Sequence, residues 1–118
     1  MADSVIGKSI LKTIRNMIGP SVSYDVFDTD LIIHINQAFS RLCQLGVGDV
    51  SSPFKITGEE ETWCQFSGDP GLIDDVKQYV YLKTRMMFDT PASSVANVYQ
   101  AQIDMLEWTM KEVARYGY

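Results

Sequence analysis

His34, Cys43 and Cys64 are the only imidazole and thiol groups in this chain. No pair of them has the short ligand spacing of a zinc motif, and there is no CxxC. A Cys–His nucleophile pair needs the two side chains within hydrogen-bond reach. No family signature surrounds either residue type here, so His34 is read as structural and Cys43, four residues from Phe39, as part of an apolar helix face. Gly46-Val47-Gly48 follows a helix rather than a strand and has no GK[ST] after it, so it is not a phosphate loop. Glu59-Glu60-Glu61 resembles a hard-cation cluster only superficially. Consecutive carboxylates on a helix diverge, and the alternating oxygen ligands of a calcium loop are missing; the run reads as a solvated one. Asp74 and Asp75 fall in the first turns of a helix, where carboxylates complement the dipole. Lys8, Lys12 and Arg15 share one helix face. That face suits an acidic partner or a phosphate backbone, but a solvated surface explains it more simply. The chain is therefore not expected to be an enzyme, and no catalytic residue, metal site or cofactor is expected.

The elements that carry these residues are helical. At 118 residues, with 46% hydrophobic, the chain can bury a real core as one domain over 1–118. A first helix is predicted over 4–18, with Ile6, Ile10, Leu11, Ile14 and Ile18 inward and Gly19-Pro20 as its stop. After a polar connection, Asp28 or Thr29 caps a second helix of about sixteen residues. Ile32, Ile35, Phe39 and Leu42 form its inner stripe, beside Leu31 and Ala38. Gly46 suits a left-handed C-cap, with Val47 folding back onto the last turn. The stretch 47–68 is irregular. Phe54-Lys55-Ile56 alternates as a short extended piece, and Thr57-Gly58-Glu59-Glu60 has capping-box spacing for a short helix through Trp63 and Phe66. Those two aromatics are expected to anchor it to the main helices.

Two long helices fill 69–116. Asp69-Pro70 opens the first, as N-cap and first helical residue. Tyr79-Val80-Tyr81-Leu82, with Met86, Met87 and Phe88, leaves it without a polar side. Such a helix lies at the centre of a core or is covered by another chain. The second long helix follows Asp89-Thr90-Pro91. Its core stripe is Val95, Val98, Tyr99, Ile103, Leu106, Met110 and Val113. The short connection makes the two helices antiparallel neighbours. The expected fold is all-α: a small four-helix domain with two long antiparallel C-terminal helices and an irregular segment between helices 2 and 3. Four helices cannot cover every apolar side, so a partner surface is expected among Tyr79, Tyr81, Leu82, Met86, Phe88, Met105 and Trp108.

Charge and hydropathy narrow the partners. The formal charge is −5, against the clustered Lys and Arg of a nucleic-acid grip. Nothing approaches the roughly 18 uninterrupted apolar residues of a membrane span. No signal peptide is read, and a cytoplasmic product with free thiols is expected.

A series of short motifs runs through most of the chain. Asp30-Leu31-Ile32-Ile33-His34-Ile35-Asn36 comes first, followed by Gln44-Leu45-Gly46-Val47-Gly48 and by Thr62-Trp63 with Phe66. Tyr79-Val80-Tyr81-Leu82-Lys83 is next. Met87-Phe88-Asp89-Thr90-Pro91 with Ser93-Ser94, and Leu106-Glu107-Trp108, complete it. In this order the series resembles the head–tail connector, or adaptor and head-completion, proteins of long-tailed bacteriophages. The resemblance implies a virion protein at the head–tail junction, assembled as a homo-oligomeric ring, commonly of twelve subunits. Its partners would be the portal protein and a downstream head-completion or tail protein, and subunits of this kind can stay monomeric in isolation. DNA would pass through the ring without specific binding: twelve copies at −5 carry about −60. A stand-alone intracellular helical module that binds a regulatory protein is the alternative reading.

Overall fold

The computed structural model describes residues 7–19, 27–48, 51–88 and 91–116. Five helices run in chain order: α1 (Ile10–Ile18), α2 (Asp28–Gln44), α3 (Trp63–Phe66), α4 (Pro70–Phe88) and α5 (Ser93–Tyr116). Four of them are the helices expected from periodicity. The fifth, α3, is a single turn inside the irregular segment.

Helix ends follow local chemistry. Asp69 caps α4, its Oδ1 accepting from the Gly71 amide at 3.0 Å, and Pro70 is the first helical residue. At the end of α2, the Val47 amide donates to Leu42 at 2.9 Å and the Gly46 amide to Cys43 at 3.1 Å. Gly46 has φ +85° and Val47 is buried, which completes a Schellman ending.

Three starts differ from expectation. The first helix begins at Ile10, not near residue 4, though residues 4–6 lie outside the described ones. Ser9 Oγ accepts from the Lys12 amide at 3.2 Å as the N-cap. Ser9 itself is extended: it pairs with Thr62 in an isolated bridge, and the Ile10 amide donates to the Glu61 carbonyl at 3.0 Å. Asp28 does not cap α2: it is the first helical residue, and its carboxylate is taken by Arg15. The expected capping box at Thr57–Glu60 is displaced too. Glu61 closes a turn by accepting from the Thr57 hydroxyl at 2.7 Å and its amide at 3.0 Å. Gln65 then accepts from the Thr62 amide at the start of α3.

α4 is the central helix, packing on α1 and α2 on one side and on α5 on the other. Tyr79 meets Glu107, while Leu82 lines a depression with Gln102 and Met105. Residues later in α4 thus meet residues earlier in α5, as antiparallel helices require. The core holds Ile10, Leu11 and Ile14 from α1, Leu31, Ile35 and Phe39 from α2, and Val76, Tyr79 and Val80 from α4. Among the described residues of α5, only Ile103 and Met110 are fully buried. This arrangement accounts for the missing polar side of α4, which is covered on two sides within its own chain.

Trp63 is fully buried, and its Nε1–H donates to Thr13 Oγ1 at 3.2 Å. Phe39 of α2 gathers Phe54, Phe66 and Trp63 at centroid distances of 5.0, 5.1 and 6.4 Å. Asn36 holds the same segment by its backbone. Its Nδ2 donates to the Ile56 carbonyl at 3.0 Å and its Oδ1 accepts from the Ile56 amide at 2.8 Å. The segment is irregular but tied to α1 and α2 by both aromatic packing and hydrogen bonds.

Candidate assembly surface

The residues singled out for chemistry are spread over the fold. His34 and Cys43 are half-buried on α2 and Cys64 is exposed on α3; neither cysteine is in a disulfide. Among the described residues no group of three or more His, Cys, Asp or Glu is arranged to hold a metal. No described helix is long and apolar enough to cross a membrane.

The expected basic face is solvated at Lys8 and Lys12 but not at Arg15. Arg15 is buried, with its Nη2 at 2.8 Å from Asp28 Oδ2 and 2.7 Å from Glu59 Oε2. Burial disfavours its charge, but the hydrogen bonds it donates to Glu59 and Asp28 outweigh that and raise its pKa. Glu59, from the run read as solvated, has its pKa lowered chiefly by the Arg15 hydrogen bond. Lys12 reaches Glu59 only at 3.9 Å, with a well-exposed side chain. Arg15 therefore ties α1 to the start of α2 and to the 57–61 turn, and it is not available to an external phosphate.

The seven expected interface residues divide into three groups. Tyr79 and Leu82 are core residues of the subunit, not surface ones. Tyr79 points between α4 and α5 and donates to Glu107 Oε2 at 2.7 Å, while Arg41 Nη2 approaches Glu107 Oε1 at 3.4 Å. Burial, then the Glu107 carboxylate, pushes the Tyr79 pKa up, so the hydroxyl keeps its proton and remains a donor. Tyr81, Met86 and Phe88 are half-buried and pack on the core's edge. The Tyr81 hydroxyl accepts from Arg85 Nη1 at 3.0 Å, and Phe88 meets Phe27 edge-to-face at 5.5 Å. Met105 and Trp108 stand on the outer face of α5, each 62% exposed.

Sequence periodicity misplaced two residues. Val95 and Val98 belong to the apolar pattern of α5 but are exposed, Val98 by 54%. The reason is layering. α5 has only α4 as an extensive helical neighbour, so one stripe suffices to dock it and any second stripe faces outward. A signal was present: Val98, Ala101, Met105 and Trp108 are spaced three, four and three, a set distinct from Tyr99, Ile103, Leu106 and Met110. Ala101, Asp104, Met105 and Trp108 line a shallow open trough along this outer face. Phe27, Ile33 and Met87 add further exposed apolar surface at the start of α2 and the end of α4.

These helices turn apolar seams outward. Residues 10–117 match the model of a family described as phage connector protein. The chain belongs to the phage connector protein family. Membership makes it a structural, connector-type phage protein. No curated protein and no solved structure matches the chain.

Proposed function

We propose that this connector-family protein assembles as a ring at the head–tail junction of the virion. There it bridges the portal to the next head-completion or tail protein and extends the channel through which DNA passes. The observation that carries this reading is the family match over residues 10–117, almost the whole chain. The surface supports it. A closed ring built head to tail needs two different patches on each subunit. The outer face of α5 offers one, around Met105 and Trp108, and Phe27, Ile33 and Met87 offer another. Interface cores favour Trp, Met and Phe, which dominate both sets.

The charge suits a channel that DNA must cross. With Arg15 engaged inside the subunit and a net charge of −5, the protein has little with which to hold phosphates.

The test is co-assembly. The protein is mixed with isolated portal rings of the same phage and imaged by negative-stain microscopy, with light scattering for stoichiometry. Added ring density on one face of the portal is expected, absent with Trp108→Glu. Portal rings that stay bare at high protein concentration would refute the connector role and favour the stand-alone helical module.

A further inference from the structure

α5 carries two seams. Tyr99, Ile103, Leu106 and Met110 are turned toward α4 and the core. Val98, Ala101, Met105 and Trp108 lie about 140° around the helix, spaced three, four and three. Such spacing fits the packing of one helix along another. No described helix fills it: Val98 is 54% exposed and Met105 and Trp108 are 62% exposed.

The outer seam is complementary in size about Ile103. Val98 and Trp108 are equidistant from that position, and so are Ala101 and Met105. Laid antiparallel against a second α5, each Trp108 covers the other copy's Val98. Each Met105 enters the hollow over the other copy's Ala101, which is where the trough lined by Ala101, Asp104, Met105 and Trp108 lies. Small residues opposite large ones let two helices approach closely. The ends match in charge. Glu112 mirrors Ser94, so its carboxylate falls over the first turn of the second α5, which has no acidic residue of its own. One element opposes the pairing: Asp104, which accepts from Gln100 Nε2 at 2.9 Å, flanks the symmetry centre and approaches its own copy.

We propose that the free protein forms a two-fold, antiparallel α5–α5 dimer that covers this seam. The occupant is a second copy, because the seam is complementary to itself. Seam residues 98–108 span only about 15 Å and expose on the order of a few hundred Å² per copy. That is short of the roughly 800 Å² per partner of a stable complex. The dimer is accordingly reversible and gives way when a ring or portal claims the same face. It stands on α5 alone and does not require the connector reading.

Sedimentation velocity from about 1 to 100 µM tests it, a range in which a micromolar dissociation constant is fully resolved. The wild type should pass from monomer to dimer. Met105→Glu and Trp108→Glu should remain monomeric with unchanged circular-dichroism melting, since both sites are exposed. Asp104→Asn should tighten the dimer about two- to fivefold by removing an exposed like-charge contact. A spin label at Ser94→Cys, with Cys43→Ser and Cys64→Ser, reads the direction. Antiparallel pairing separates the two labels by roughly 27 Å along the axis, whereas parallel pairing leaves them near 10 Å. A wild type monomeric at 100 µM, a dimer indifferent to Met105→Glu, no tightening by Asp104→Asn, or the short label distance would each overturn the proposal. Rings that form through α5 without the long distance would also overturn it while leaving the connector role intact. A dimer that never joins the portal would uphold it and sink that role.

Discussion

Arg15→Met should reveal how much of the fold's closure rests on one buried cation. The guanidinium donates through Nε at 3.2 Å and Nη2 at 2.8 Å to Asp28, and through Nη2 at 2.7 Å to Glu59. Hydrogen bonds to charged groups contribute about 1.5–3 kcal/mol each, and breaking a buried pair costs about 3–5 kcal/mol. Both carboxylates retain access to water, with side chains 21% and 42% exposed, so they rehydrate once Arg15 is gone. Methionine also keeps most of the packing of the arginine stem. A loss of about 2 kcal/mol at pH 7 is expected, a fall in Tm of about 8 °C for a domain of this size. The pH dependence is diagnostic. Glu59 has its pKa lowered in the folded state by the Arg15 hydrogen bond. Its contribution is therefore complete above the ordinary glutamate value and is lost as pH falls through the depressed folded value. Urea melts at pH 7 and in the acid range should show the gap between wild type and Arg15→Met closing toward acid. Arg15→Lys should fall between them, since it keeps the charge but not the fork. An Arg15→Met protein within about 0.5 kcal/mol of wild type, or a gap that persists unchanged into acid, would refute this account of the α1–α2 closure.

Three further outcomes follow from the same structure. Asn36→Ala removes both side-chain partners of the buried Ile56 backbone and should cost about 2–3 kcal/mol in denaturant melts, whereas Gln37→Ala, on the exposed face of α2, should cost less than about 0.5. Gly48→Ala should cost about 2–3 kcal/mol, because φ is +82° and a Cβ there would sit 2.7 Å from the Phe66 ring; Gly46→Ala, with open space at φ +85°, should cost about half as much, and equal losses would discredit the Phe66 contact. In gel shifts at moderate salt the protein should form no stable complex with duplex DNA; micromolar binding weakened by Lys8→Ala and Lys12→Ala would make the N-terminal region a DNA contact.

The sequence by itself determined the local architecture. Asp69-Pro70 announces α4, Gly46 announces the end of α2, and the buried stripes of α1 and α2 follow from spacing, because caps and helical periodicity are properties of neighbouring residues. The family was legible as well, since its signal is an ordered series of short motifs. What the sequence left open was set by contacts distant along the chain. Arg15 reads as a surface charge until Asp28 and Glu59, 13 and 44 residues away, converge on it. Tyr79 reads as an interface residue until α5 brings Glu107 to its hydroxyl. Val95 and Val98 read as core until the layering gives α5 only one extensive neighbour. Periodicity tells which residues share a face of a helix. Which face is covered, and by what, depends on the order in which the helices stack, and here that order places α4 in the centre and leaves one seam of α5 exposed.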